Sequence, residues 1–158
     1  MKNTTLCYIE KDGAYLMLHR IKKKNDYNHD KWIGVGGHCE ENESPYACMM
    51  REIGEETGLT PLALTPRGIV TFVNDDTEGE YMHLYTCSSF TGTLLPCDEG
   101  ELVWVEISSV PSLPVWEGDR IFLRLLAENA PFFDLCLIYH GDRLSEAVLD
   151  GKKLEFLP

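Results

Sequence analysis

The chain has 158 residues, of which 44% are apolar and 25% charged. That is the size and mixture of one soluble globular domain, read here as 1–158, and it excludes a disordered chain. Lys and Arg number 14 against 26 Asp and Glu, a net charge of −12, which argues against a nucleic-acid polymer as partner because such binding needs a basic stripe. A small phosphorylated ligand stays open, since clustered carboxylates recruit divalent cations that then hold phosphates. No apolar run reaches the roughly 18–20 residues of a membrane span. The N-terminus MKNTTLCYIE lacks the basic-then-apolar layout of an export signal. The expectation is a cytoplasmic protein with no membrane contact, either a monomer or a homodimer. Cys7, Cys39, Cys48, Cys87, Cys97 and Cys136 are scattered without a C-x-x-C pair or zinc-ligand spacing. They read as reduced, packed thiols rather than a disulfide framework.

In chain order, residues 4–10 and 14–21 are apolar-rich and separated by Lys11-Asp12-Gly13, a hairpin signal. Residues 22–31 (KKKNDYNHDK) are polar and turn-rich and read as a loop; Lys22-Lys23-Lys24 is a basic spot in it. Residues 32–38 (WIGVGGH) mix apolar residues with three glycines. A helix over 45–57 has clear punctuation. Ser44 is a good N-cap, Pro45 sits where its missing N–H costs nothing, and Gly58 supplies the stop. Residues 66–74 and 80–90 alternate like strands, and 101–107 forms another. Residues 117–129 read as a second helix ended by Pro131. Residues 132–140 and 144–157 form a C-terminal hairpin turning at Gly141-Asp142. Strands on both sides of a long helix predict an α/β layered sandwich with a mixed sheet.

The helix over 45–57 carries the chemistry. At 100° per residue, Tyr46, Met50, Ile53 and Thr57 fall on one side and Glu52, Glu55 and Glu56 on the other. Carboxylates at that spacing have Cβ atoms about 5–6 Å apart and repel one another. A solvated acidic face is the plain reading of such a helix. Bound Mg²⁺ or Mn²⁺ would reverse the balance, because hard cations favour carboxylate oxygens. The neighbouring residues support the cation. Gly36-Gly37 lets the backbone approach a ligand closely. Glu43 lies just before the helix, and Arg51 projects beside the acids, where it can hold a carboxylate bidentately.

The segment 37–59 resembles the Nudix box: Gly, five residues, Glu, seven residues, Arg-Glu-aliphatic-x-Glu-Glu-x-Gly-aliphatic. Gly37, Glu43, Arg51, Glu52, Ile53, Glu55, Glu56, Gly58 and Leu59 fill it without departure. The resemblance implies a Nudix-type α/β/α sandwich with a mixed central sheet. It implies hydrolysis of a nucleoside diphosphate linked to another moiety. It also implies Mg²⁺, or Mn²⁺ in its place, held by Glu52, Glu55 and Glu56 with the Gly37 carbonyl, while Glu43 and Arg51 brace the loop–helix junction. Glu52 and Glu99 are the candidates for taking a proton from water.

Beyond the box the chain is similar to MutT-type triphosphatases that remove 8-oxo-dGTP and related oxidised purine nucleotides. Asp98-Glu99 precedes a strand as an acidic pair does there, making Glu99 the matching extra metal-site carboxylate, with Glu101 as competitor. Leu113-Pro114-Val115-Trp116-Glu117-Gly118-Asp119 looks like the segment whose Trp stacks on the purine and whose Asp bonds the base edge. By the same likeness Thr5 would line the pocket and Arg20 would meet phosphate. Tyr27 and Phe72 would close the pocket. A flat aromatic wall with a few fixed polar groups suits a purine, and an Asp that stays neutral suits a base edge presenting donors and acceptors. Two departures weaken base selection: Ile33 stands where the mammalian members have Asn, and Gly118-Asp119 where they have paired aspartates. The expected partner is thus a small nucleotide, hydrolysed to the monophosphate and pyrophosphate. The alternatives are a Nudix pyrophosphatase for ADP-ribose, nucleotide sugars or other nucleoside diphosphate derivatives, and a nucleotide sensor without catalysis.

Overall fold

The computed structural model describes residues 1–155. Strand β1 (Lys2–Lys11) turns through Asp12 and Gly13 into β2 (Ala14–His19). Both turn residues have positive φ, 51° and 78°, the backbone a two-residue hairpin of matching twist requires. The glycine segment splits into β3 (Trp32–Ile33) and β4 (Val35–His38), and helix α1 (Pro45–Thr57) follows. Ser44 accepts from the Ala47 N–H, and Gly58 ends the helix at φ 79°, a conformation glycine adopts without penalty. Strands β5 (Thr60–Asn74), β6 (Glu80–Thr91) and β7 (Glu101–Glu106) come next, then a 3-10 turn over Ile107–Ser112 and helix α2 (Asp119–Ala127). The chain closes with β8 (Phe133–His140), β9 (Arg143–Leu149) and β10 (Lys152–Lys153).

The sheet runs β10-β9-β8-β5-β6-β1-β2-β3, with β4 on β1 and β7 on β2. It is mixed: β1 pairs β6 and β5 pairs β8 in parallel, and the remaining pairs are antiparallel. Alternation along β1 sorts the core into two layers. Leu6 and Tyr8 pack with Phe122 and Leu126 of α2, while Cys7 and Ile9 pack with Met49 and Ile53 of α1. The helices therefore cover opposite faces. Each fully buried side chain such as Ile53 contributes about 2 kcal/mol.

Several boundaries differ from the expectation. β5 begins at Thr60 rather than 66, with register shifts between Pro61 and Gly68 that hide its alternation. The second helix starts at Asp119, and the turn over Ile107–Ser112 was not anticipated. The expected strand 144–157 ends at Leu149 and turns at Asp150-Gly151 into β10; its last residues lie outside those described. On α1 the buried stripe is Cys48, Met49, Ile53, Glu56 and Thr57. Tyr46, expected on that side, is 47% exposed, and Glu56, expected opposite it, turns inward.

Candidate active site

Helix α1, the glycine strand β4 and the turn before β7 meet at one place. Strand β4 lies on β1 with Thr5 opposite Gly37 and Leu6 opposite Gly36. The approach is close: a Cβ on Gly36 would stand 1.9 Å from the Thr5 carbonyl oxygen, and one on Gly37 2.6 Å from the Glu52 carboxyl. The backbone contact makes glycine necessary at position 36, whereas at 37 the obstacle is the far end of the Glu52 side chain, whose carboxylate lies directly over Gly37. The Gly36 N–H donates to Glu56 Oε1 at 2.8 Å, while Glu56 Oε2 is buried with no partner. Burial, with the nearby charge of Glu99, pushes the Glu56 carboxyl up to about 8. Burial also raises Glu52, against the pull of Arg51.

Arg51 organises the rim. It donates to Glu43 from Nε at 2.8 Å and Nη2 at 2.9 Å, to Glu52 and Glu55 from Nη1 at 2.9 and 3.1 Å, and to the His38 carbonyl at 3.2 Å. These bonds hold Glu43 down to about 2 and join loop to helix. Glu99 is taken by Arg20 at 3.0 Å and Lys23 at 3.1 Å, and Arg20 also grips Asp26 at 2.8 Å. Among the described residues, no three carboxylate, thiol or imidazole groups converge as a ready-made cation cage. The charges are compensated by guanidinium and ammonium groups instead. The donor set nevertheless fits a hard divalent cation: acidic oxygens surround a glycine loop, and one buried oxygen lacks a partner.

Across the sheet, on the α2 side, lies an aromatic cluster. Trp116 Nε1 donates to Asn28 Oδ1 at 2.7 Å, Tyr27 stacks on the indole at 4.9 Å, and Lys31 Nζ sits 5.0 Å from it. Tyr139 meets Trp116 edge-on at 5.8 Å, Phe72 stacks on Tyr139 at 6.4 Å, and the Tyr139 hydroxyl accepts from the Gly118 N–H. Asn74 Nδ2 donates to the Tyr27 hydroxyl at 2.9 Å. Asp119 is 4% exposed, and burial drives its carboxyl up to about 8 despite Arg120 and Lys31. Two further buried hydroxyls lack partners, those of Thr4 and Tyr8 on β1.

The structure thus gathers Gly37, Glu43, Arg51, Glu52, Glu55, Glu56 and Glu99 at one end, and Tyr27, Phe72, Trp116 and Asp119 at or beside the aromatic cluster. Glu101 is exposed on β7 opposite His19, and Glu99, not Glu101, raises the Glu56 carboxyl. Thr5 lies on the α1 side, where its hydroxyl donates to the Gly37 carbonyl at 3.3 Å and shares a hydrogen bond with Cys48. Thr4, one residue earlier on β1, alternates to the α2 side. Arg20 is held by carboxylates, and Lys22 bonds the Cys97 carbonyl at 2.8 Å. Asn28, Asn74, Tyr8 and Tyr139 escaped sequence reasoning; only Tyr8 had a usable signal, the alternation of β1.

Residues 2–126 match the family described as NUDIX domain. The chain belongs to that family and is an enzyme, a Nudix hydrolase. It is 27% identical over 150 residues to the zebrafish (Danio rerio) oxidized purine nucleoside triphosphate hydrolase, covering 94% of each chain. It is also 27% identical over 134 residues to the Bacillus subtilis uncharacterized Nudix hydrolase YvcI, covering 82% of this chain and 81% of that one. The MutT protein of Bacillus halodurans superposes with TM-score 0.85 at 22% identity, covering 95% of this chain and 98% of that one, which shows a shared fold. Nudix hydrolases generally use divalent metals and act on small nucleotides. No helix among the described residues is long and apolar enough to cross a membrane.

Proposed function

We propose that the protein hydrolyses a purine nucleoside triphosphate, of the oxidised 8-oxo type, to the monophosphate and pyrophosphate with Mg²⁺ or Mn²⁺. The observation that carries this reading is the unpartnered, buried Glu56 Oε2 beside Gly37, Glu52 and Glu99. An anionic oxygen in that position is costly unless a cation meets it. Glu52, Glu55, Glu56 and Glu99 with the Gly37 carbonyl would hold the cation, and when bound it supplies charge neutralisation for phosphate oxygens and activation of the attacking water. Arg51 keeps its two-pronged hold on Glu43, so the loop–helix junction survives while Glu52 and Glu55 exchange their share of the guanidinium for the cation. Glu52 and Glu99 flank the site, and one of them receives the water proton at a carboxylate Oε as the water oxygen bonds to phosphorus and pyrophosphate departs.

The purine reading is supported by the pocket chemistry and by the zebrafish relative's activity. Trp116 offers a flat wall held by Asn28 and Tyr27. Asp119, neutral at pH 7, donates an O–H to an acceptor on the base edge, which an ionised aspartate would repel. Confinement of both sites to 1–158 and action in the cytoplasm belong to the same proposal. The test is pyrophosphate release from canonical and oxidised nucleoside triphosphates, with ADP-ribose, nucleotide sugars and dinucleoside polyphosphates beside them and EDTA as control. Cation-dependent pyrophosphate release, fastest on an oxidised purine and lost in Glu56→Gln, is expected. Turnover confined to ADP-ribose or a nucleotide sugar would replace the triphosphate reading, and tight nucleotide binding without turnover would make the chain a sensor.

A further inference from the structure

A continuous run of polar contacts joins the turn before β7 to the aromatic cluster. Arg20 stands where the loop 20–31 leaves β2 and returns to β3. Its N–H donates to the Lys31 carbonyl at 3.0 Å, and its carbonyl accepts from the Asp30 N–H at 2.7 Å. The guanidinium reaches two carboxylates at once, from Nε to Asp26 Oδ2 at 2.8 Å and from Nη1 to Glu99 Oε2 at 3.0 Å. Asp26 Oδ1 accepts from the Asn28 N–H at 3.1 Å, and Asn28 Oδ1 accepts from Trp116 Nε1 at 2.7 Å. Tyr27, between Asp26 and Asn28, stacks on the same indole, so this loop grips the ring at its edge and on its face. The Arg20 and Asp26 side chains are only 12% and 8% exposed. A pair so shielded is screened little by salt, and the planar guanidinium fixes direction as well as charge.

We infer that Arg20 and Asp26 are positioning residues: through Asn28 they set the indole of Trp116, and they couple it to the carboxylate of Glu99. The coupling rests on the reading of Glu99 as a cation ligand given above; the positioning of Trp116 does not. In this structure Arg20 and Lys23 balance Asp26 and Glu99. A divalent cation that takes Glu99 removes one negative charge from that set. Lys23, whose side chain is already 55% exposed, returns to solvent. The guanidinium then rests on Asp26 alone, whose other oxygen carries the Asn28 N–H. The pull on Asn28 changes, and with it the hold on the Trp116 N–H, although the cation touches neither. Binding free energies are linked, so a group that stacks on Trp116 must in turn change the affinity for the cation by the same factor that the cation changes its own. Arg20 thus makes the aromatic wall and the acidic end respond to each other, whichever base is bound.

Heteronuclear NMR of the indole N–H groups tests this, first in the metal-free chain. The signals come from Trp32, Trp104 and Trp116, and Trp116→Phe identifies the last. Asp26→Asn keeps an oxygen for the Asn28 N–H but removes the charge that Arg20 grips; Arg20→Gln removes the guanidinium. In both variants the Trp116 signal should shift while that of Trp104 holds. Its exchange with water should accelerate about tenfold, the low end for loss of a hydrogen bond to a charged group. Asp26→Asn leaves Arg20 its bond to Glu99 and carries the test if Arg20→Gln does not fold. Mg²⁺ alone, with no nucleotide, should move the Trp116 signal in the wild type and leave it in place in either variant, with calorimetry alongside to show that Mg²⁺ binds. A Trp116 signal and exchange rate unchanged in the metal-free variants overturn the positioning. Mg²⁺ binding to the wild type without movement of that signal overturns the coupling. Failure of Mg²⁺ to bind the wild type overturns the cation reading and the coupling with it, while the metal-free comparison still decides the positioning.

Discussion

Replacing Asp119 with Asn tests whether the aromatic pocket contains a neutral acid. Asp119 is the first residue of α2, where the helix dipole favours a negative charge by about 0.3–1 kcal/mol, and up to about 2 in partly buried geometry. Removing an ion from water costs several kcal/mol, so burial wins and the carboxyl rises from 3.8 to about 8. The sign follows from proton counting. Between pH 4 and 8 the native state retains a proton that the unfolded chain has lost, so stability falls as pH rises. The slope is about 1.4 kcal/mol per pH unit, or on the order of 4–6 kcal/mol across the window. Asp119→Asn has the same shape and no proton to lose. In urea melts from pH 3.5 to 9, the wild type should match the variant at the acid end, below the ordinary carboxyl value of 3.8, and fall progressively below it as pH rises, with the difference levelling off above pH 8. Subtraction of the two curves removes the similar contribution of Glu56. Parallel curves would mean an ionised native Asp119 and would refute the neutral-acid reading.

The glycine loop separates backbone from side-chain crowding: Gly36→Ala pushes a methyl into the Thr5 carbonyl and should cost about 3 kcal/mol or more in denaturant melts, whereas Gly37→Ala meets only the movable Glu52 carboxyl and should fold normally while losing turnover. Arg51→Gln frees Glu43 from its depressed range near 2. The wild type's advantage over this variant should therefore be full above pH 4.5 and shrink as pH falls toward 2; an unchanged gap would remove the ion pair from the junction. Trp116→Ala should raise KM about 10–100-fold with kcat nearly constant, since base stacking is worth about 1–3 kcal/mol. An unchanged KM would take Trp116 out of the base pocket.

Local chemistry was legible where it acts at short range. Ser44, Pro45 and Gly58 bound α1 where their cap and turn preferences place them, and Asp12-Gly13 makes the hairpin. Periodicity misplaced Glu56 because a helix beside a glycine loop has a third kind of face, neither core nor solvent, and Glu56 points into it. The pairing of Arg20 with Asp26 and Glu99 was not legible in the sequence, since Glu99 lies far along the chain and meets it only through the fold. Asn28, Asn74 and Tyr139 come from separate loops and strands, and nothing in their local sequence connects them with Trp116. The start of β5 was hidden by two prolines and by bulges that break the period of two.

The most direct measurement is calorimetric titration of Mg²⁺ into the apo chain at pH 7, repeated in buffers of different ionisation heat. At that pH the Glu56 carboxyl is largely protonated, so cation binding should release about one proton, and Glu56→Gln should bind far more weakly and release none. Equal affinity and equal proton release in the variant would show that the cation, and the hydrolysis built on it, lies elsewhere.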